Sequence, residues 1–517
     1  MPSHTQETGG AKEDSIALPQ IEAKLTTHPG VGHAAVTVSR NASGDQKLIA
    51  YVVPDENYLD SVLAAEQNEG KRIKEWRTVF DWYQKDDGSS SKDFDTRSWS
   101  SSYTRQPIPA DEMREWVENT VDEIFSLHPA EILEIGCGTG LLLLRIAPRC
   151  KRYVGLDFSS AALKSLRKQL EALDGKQSAV TLLERSADNF EALDNNSFDT
   201  VIINSVAQYF PSLEYLTKVL EGALKATKPS GAIFIGDVRS LPLLETFATS
   251  VELAQAPATL RLSELRDKIR RRLNQERELV ISPAFFLALQ RRYPRISRVE
   301  IRPKRATFDN EMTRYRYDAV LFLDTHDQGC IEPRWSDWTS DSLTLAAIRD
   351  LLQSGIETLA IKGVVNGRIA KDVAALARLA NSDDSATAGD LREALGDTPS
   401  HGVSPDQLAS IAEDYDYRAE FSLASCRSHG SYDVFLRRLD AGDGSTNTPV
   451  AWPHPETIAE DLTLHVHDPS RLARRQMLIR QLRDHLKATL PESMLPAELV
   501  LVHELPNNLP LTSDTRW

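Results

Sequence analysis

The sequence is short of several features that would place it at once. It holds 4 cysteines in 517 residues, Cys137, Cys150, Cys330 and Cys426. They have neither the paired spacing of a zinc site nor the density of a disulfide framework, so a reducing compartment and no metal are expected. No run approaches 18 consecutive apolar residues, which argues against a membrane-spanning helix. The opening MPSHTQETGGAKEDS lacks the apolar centre of a secretory signal, and a cytoplasmic location is the simplest reading. Cations are also in deficit: 60 Lys and Arg stand against 75 Asp and Glu, a net charge of −15. Nucleic acid is therefore a poor partner, since its phosphates reward clustered Lys and Arg, and no membrane partner is expected either. No internal repeat is visible.

What is present is an ordinary globular composition, 41% apolar and 26% charged, in a chain longer than one core usually organises. Residues 1–16 are polar and read as disordered. Residues 17–54 read as a helix, PQIEAKLTTHPG, and two strands, AAVTVSR and KLIAYVVP, joined by a turn cluster at 41–45. Residues 55–111 are charged and aromatic, with a serine-rich loop at 87–91 and the stretch SWSSSYTRQPIP, and read as an irregular arm or lid. From 112 to 325 helix and strand patterns alternate as a doubly wound α/β domain requires. Its expected strands are EILEIG, RYVGLDF, VTLLERS, DTVIINS, AIFIGDV, RVEIRPK and DAVLFLD. Residues 326–440 form a further α/β extension. Residues 441–469 read as a Gly/Ser/Thr/Pro-rich linker, and 470–517 supply a helix and a strand.

The stretch EILEIGCGTGLLLLRIAP carries the strongest local signal. Gly136, Gly138 and Gly140 alternate with Cys137 and Thr139, a spacing different from the dinucleotide fingerprint. Glycine suits a tight turn that a ligand approaches closely, and the following helix would offer unpaired N–H groups. A purely structural turn also fits the loop taken alone. The next strand ends at Asp157, where a carboxylate can take both hydroxyls of a ribose. The third strand leads to Asp188 and the fourth to Asn204 and Ser205. Four consecutive strand ends thus carry polar groups at the edge where an open α/β sheet binds its ligand.

This series resembles class I S-adenosylmethionine-dependent methyltransferases, with EIGCGTG as the glycine motif, Asp157 as the ribose acid and Ser186-Ala187-Asp188 as the adenine-side motif. A nicotinamide enzyme is the main competitor, but its glycine spacing differs. The resemblance implies a Rossmann-like α/β sheet of seven strands, its last hairpin reversed, with S-adenosyl-L-methionine as cofactor. Glu134, Gly136, Cys137, Gly138, Gly140, Asp157, Phe158, Ala187, Asp188, Asn204 and Ser205 would then line the cofactor site.

Five further stretches, SSYTRQPIPADEMREWVENTV, LEIGCGTGLLLLRIAP, SFDTVIINSVAQYFPS, IFIGDVRSLPLLE and EIRPKRATFDNEMTRYRYDAVL, stand in the order found in N-methyltransferase domains of nonribosomal peptide synthetases. The similarity spans roughly residues 70–440. The flanks, QIEAKLTTHPGVGHAAVTVSR with KLIAYVVP and LRDHLKATLPESMLPAELVLVHELPNNLPLT, resemble the two parts of an adenylation-domain C-terminal lobe. They imply an additional small α+β lobe in which 17–54 and 470–512 meet. That family closes on LTPNGK with an adenylating lysine, where this chain reads LTSDTRW, so no adenylation is expected. Arg105 also stands where the family has glycine. The resemblance extends to stand-alone enzymes of fungal polyketide–peptide pathways that methylate tetramic-acid nitrogens, acting in trans. The implied partner is a small natural-product substrate, free or as a carrier-bound aminoacyl or peptidyl thioester.

Methyl transfer to nitrogen requires an uncharged nucleophile held in line and a group to take its proton. The candidates are Tyr103 in the arm, Tyr209 after the fourth strand, Asp237 and Arg239 in GDVRS, and Glu311 in NEMTRYRYD. Each has a plainer reading: packed aromatics for the tyrosines, a mutual ion pair for Asp237 and Arg239, and a loop acid for Glu311. The same cofactor site would also serve an O- or C-methyltransferase, and a non-catalytic docking module is the reading of a different class.

Overall fold

The computed structural model describes residues 10–40, 46–59, 76, 78, 99–172, 180–325, 329–396, 402–425, 427–439, 448–502 and 505. The chain divides into two compact units, Met1–Arg72 with Pro469–Trp517, and Ile73–Asp468. The serine-rich loop at 87–91, Cys426 and the closing LTSDTRW lie outside the described residues.

The larger unit is built on the seven strands expected from the sequence: β1 (Glu131–Ile135), β2 (Arg152–Asp157), β3 (Val180–Glu184), β4 (Phe198–Asn204), β5 (Thr227–Arg239), β6 (Ile296–Pro303) and β7 (Arg316–Leu323). They lie in the order β3-β2-β1-β4-β5-β7-β6. The first five are parallel, whereas β7 runs antiparallel between β5 and β6. Central parallel strands are covered on both faces, which is why Ile132, Leu133 and Ile135 of β1 and Val201, Ile202 and Ile203 of β4 are all buried. One face packs Leu133, Val201, Ile203 and Ile235 with Leu216, Val219 and Leu220 of the helix Leu213–Ala226. That helix starts at Ser212, whose hydroxyl accepts from the Tyr215 N–H at 3.2 Å and caps one open donor. The other face packs Ile132, Ile202 and Phe234 with Met113, Trp116 and Val117 of the helix Ala110–Phe125. The strand order reverses at β1, between β2 and β4, so the crevice at their carboxyl ends is the place for a ligand.

A four-stranded sheet, in the order Trp335–Asp337, Thr358–Val364, Tyr432–Arg438, Tyr417–Ser422, forms the extension. The stretch read from sequence as a linker needs correction over its described part, 448–468. Val450 bridges to Ile331, Val466–His467 pairs with Val280–Ile281, and the Asp468 carboxylate accepts from the Leu213 N–H at 3.0 Å. Composition marked the polar turns of this stretch but not the apolar Val450, Ile458, Leu462 and Val466 that bury it.

In the smaller unit the strands Val31–Arg40 and Gln46–Pro54 pair antiparallel, and Glu498–Leu501 adds to the second in parallel. The helices Gly10–Thr26 and Pro469–Thr489 cover the sheet through Ile21, Leu25, Leu478, Leu482 and Leu486, the first of them beginning within the stretch 1–16 read from sequence as disordered.

Candidate active site

The turn after β1 is left-handed at all three glycines, with φ of +77°, +51° and +85° at Gly136, Gly138 and Gly140. Their reasons differ. A Cβ at Gly136 would stand 2.5 Å from Val206 and one at Gly140 2.4 Å from Leu166, so both are packing glycines. A Cβ at Gly138 would meet nothing within 4 Å: this glycine faces open space. The Gly138 N–H donates to Asp157 Oδ2 and the Ser159 N–H to Asp157 Oδ1, each at 2.8 Å, fixing the carboxylate beside the loop.

The cleft around this loop is lined by Glu134, Gly136, Cys137, Gly138, Asp157, Phe158, Ala187, Asn204 and Ser205 of the expected set. Gly140 and Asp188 are not on its wall. Asp188 turns instead to the Ser186 hydroxyl at 2.7 Å, the Tyr215 hydroxyl at 3.0 Å and Lys218 Nζ at 2.5 Å. Its carboxylate ties the β3 loop to the helix Leu213–Ala226, which places it outside the cleft.

The buried acid at the base of the loop is Glu134, 4% exposed, which accepts from the Tyr153 hydroxyl at 2.9 Å. Burial, reinforced by the Asp157 charge, pushes its carboxyl up to about 7, against the pull of the Tyr153 hydrogen bond. Burial likewise raises the Cys137 thiol, with Glu134 and Asp157 adding to the effect, so it remains neutral.

The same cleft is also lined by the aromatics Trp76, Trp99, Trp116, Tyr209 and Phe210. The Trp76 and Tyr209 rings lie 4.6 Å apart between centroids, and Trp99 and Trp116 lie 6.0 Å apart. Of these, the sequence singled out Tyr209 and the arm stretch SWSSSYTRQPIP that holds Trp99, but not Trp76 or Trp116. Trp116 carries the apolar periodicity of a core helix, and nothing local distinguishes a core tryptophan from one whose edge faces a ligand.

The five candidate proton-handling residues separate. Tyr209 lines the cleft, and burial pushes its phenol up. Asp237 is fully buried behind Ser205: it accepts from the Ser205 hydroxyl and pairs with Arg316 at 2.5 Å. The mutual pairing weighed for Asp237 and Arg239 does not form. Residues two apart share a face only in a regular strand; Asp237 is left-handed, at φ +61°, where the pairing of β5 with β7 shifts register, and Arg239 reaches Glu276 at 2.8 Å and Glu278 at 2.7 Å instead. Glu311 accepts from the Ser102 N–H at 2.7 Å and the Ser102 hydroxyl at 2.8 Å, pinning the arm rather than facing the cleft. Tyr103 is engaged in the same strap. Its hydroxyl lies 2.7 Å from Ser250 Oγ, and Tyr315 links that serine onward to Asp372. Around residues 99–107 the arm is thus fastened at several points, and it contributes Trp99 to the cleft.

A bent glycine loop thus lies beside a fixed carboxylate at the switch point of a seven-stranded sheet with a reversed last hairpin. Residues 133–233 match a family profile described as a methyltransferase domain. Over 507 residues the chain is 37% identical to the chondramide synthase of Chondromyces crocatus, covering 95% of this chain and 13% of that protein. To the beauvericin nonribosomal cyclodepsipeptide synthetase of Beauveria bassiana it is 28% identical over 533 residues, 96% of this chain and 16% of the relative. The chain therefore spans less than a fifth of these relatives. Among solved structures, the N-methyltransferase NodS from Bradyrhizobium japonicum aligns with 41% of this chain and 97% of its own, at 15% identity and a TM-score of 0.27. The chain thus carries a methyltransferase domain within a sequence related, almost end to end, to segments of nonribosomal peptide synthetases.

The residues present fit S-adenosyl-L-methionine, the cofactor the sequence resemblance implies. The space above Gly138 that a Cβ would fill is open, the Asp157 carboxylate is fixed next to it, and Asn204 Oδ1 is buried without a donor on the same wall. Among the described residues no group of three or more His, Cys, Asp or Glu could hold a metal ion, and no helix is long and apolar enough to cross a membrane.

Proposed function

We propose that this chain transfers a methyl group to the nitrogen of an amino-acid-derived acceptor in nonribosomal peptide or polyketide–peptide biosynthesis. The observation that carries this reading is the cleft itself, in which the cradle at Gly138 and Asp157 shares its lining with Trp76, Trp99, Trp116 and Tyr209. Flat aromatic faces suit an apolar acceptor and exclude water from the transfer. The relationship to peptide synthetases supports an amino-acid-derived acceptor.

S-adenosyl-L-methionine supplies an electrophilic methyl group when bound. On this reading Asp157 holds the ribose, Gly138 leaves room for the amino-acid tail, and Phe158 and Ala187 border the adenine. Tyr209, its phenol pushed up by burial, stays protonated near neutral pH and serves as a hydrogen-bond donor rather than a base. The smaller unit is read as an adenylation-type lobe without nucleotide activity.

The test is thermal stabilisation of the full chain by S-adenosylmethionine and by S-adenosylhomocysteine, followed by mass analysis of two acceptors. One is a carrier-tethered aminoacyl thioester; the other is a desmethyl tetramic acid, which would mark action in trans on a released product. Gain of one methyl on nitrogen in either acceptor is the expected result, and the productive one identifies the delivery route. Transfer to oxygen or carbon would replace N-methylation by the alternative chemistry. Absence of stabilisation and transfer would favour a docking module.

A further inference from the structure

Two non-glycine residues at the carboxyl edge of the sheet hold left-handed backbones and touch each other. Ser205, just past β4, has φ +55°, and Asp237, in β5, has φ +61°. Each such residue costs on the order of 1–2 kcal/mol that glycine would avoid. The expense places both side chains in one spot: the Ser205 hydroxyl donates to Asp237 Oδ2, and Arg316 Nη1 reaches the same oxygen at 2.5 Å.

The surroundings hold this pair rigidly. The Ser205 N–H donates to the Gly236 carbonyl at 3.1 Å, and the Asp237 N–H to Asp318 Oδ1 at 2.8 Å. Asp318 is itself fixed by Lys304 at 3.0 Å, in a pair whose side chains are 2% and 3% exposed. Lys304 also donates to the Thr120 hydroxyl at 3.1 Å.

The pair reaches the cleft through Ser205 alone, since Asp237 is fully buried. With its hydrogen committed to Asp237, Ser205 Oγ presents only lone pairs to the cleft. Asn204 Oδ1 on the same wall and Asp237 Oδ1 behind it are buried without a donor. A corner with unpaired acceptors is completed by a ligand that brings an N–H or O–H.

We propose that Ser205 and Asp237 form a proton-accepting dyad for the methyl acceptor, Ser205 touching its N–H and Asp237 taking the proton through Ser205. This rests on the reading of the cleft as a methyl-transfer site. As the acceptor nitrogen's lone pair forms the new N–C bond, the C–S bond to the methyl group breaks and its electron pair stays on sulfur. The nitrogen's proton passes to Ser205 Oγ while the Ser205 proton passes to Asp237 Oδ2, so the positive charge lost at sulfur is balanced by the neutralised carboxylate. Ser205 is the catalytic residue; Asp237 acts through it, and Arg316 orients Asp237.

The experiment uses the full chain with Ser205→Gly, which relieves the left-handed backbone instead of straining it, and Asp237→Asn, a residue that tolerates this conformation. Cofactor-site integrity is read by calorimetric titration with S-adenosylhomocysteine. Turnover is read with phenylalanyl N-acetylcysteamine thioester and with a desmethyl tetramic acid. The expected result is a fall in kcat of about 100-fold or more in each variant, with product affinity within about twofold of wild type. The double variant should be no slower than either single one, whereas a merely structural role for Asp237 would add its loss to that of Ser205→Gly. Undiminished kcat in Ser205→Gly, or a parallel loss of S-adenosylhomocysteine affinity in both variants, overturns the dyad and leaves the methyltransferase reading standing. Wild-type protein that binds S-adenosylhomocysteine but methylates neither acceptor overturns the proposed acceptor class and the dyad with it.

Discussion

At the scale of single residues, the two carboxylates of the cleft have different consequences: one for cofactor affinity, the other for stability against pH. Asp157 is 8% exposed and held by two backbone N–H groups. Removing it in Asp157→Ala takes away charge-assisted hydrogen bonds worth about 1.5–3 kcal/mol, so S-adenosylhomocysteine affinity should fall roughly 10- to 100-fold by calorimetry. Glu134 is the reverse case. Its carboxyl lies at about 7 in the folded chain against 4.5 for the free side chain. Between those values the folded state binds more protons than the unfolded one, so this group's contribution to stability is present below about pH 4.5 and is lost as pH rises through 7. The loss amounts to about 3 kcal/mol, and Glu134→Gln should flatten that fall in melting temperatures measured across pH 4.5–7.5.

At the scale of elements, the loop after β1 separates glycines that sequence alone treats alike. Gly136→Ala and Gly140→Ala should each lower stability by a few kcal/mol, combining left-handed strain with collision against Val206 or Leu166. Gly138→Ala carries only the strain and should stay folded, with its new methyl group projecting into the cleft and weakening cofactor binding. Urea melts paired with calorimetric titration distinguish the two patterns. The loop and the seven strands were legible because each is a local pattern: apolar runs closed by turn residues, with an acid at the β2 end. Other features were not, because they depend on partners far along the chain. Asp188 is drawn off the cleft by Tyr215 and Lys218, and Asp237 meets Arg316, 79 positions later, instead of Arg239. Ser205 was legible as a strand-end polar group, but its pairing with a left-handed Asp237 required the neighbouring strand.

At the scale of the whole molecule, the two units should melt as separable transitions. S-adenosylhomocysteine at about 100 times its Kd should stabilise the larger unit by roughly 2.7 kcal/mol and leave the other transition in place. Leu482 is fully buried among Ile21, Leu25 and Leu486 of the smaller unit. Leu482→Ala should lower that unit's stability by about 2–5 kcal/mol without altering cofactor affinity, as scanning calorimetry with and without ligand would show. A common shift of both transitions would contradict their independence.

The parallel pairing of Glu498–Leu501 with Gln46–Pro54 also has a consequence for synthesis on the ribosome. The early hairpin emerges long before its third strand, and until then Gln46–Pro54 has an open hydrogen-bonding edge. Closing a flexible loop across the intervening residues would be entropically expensive, but an intervening segment that has already folded shortens the effective span. Prior folding of the larger unit should therefore lower the cost of adding the third strand to the smaller one. Substitutions that slow the methyltransferase sheet should prolong exposure of the hairpin edge and show up as aggregation during translation, even when they lie far from the smaller unit in sequence.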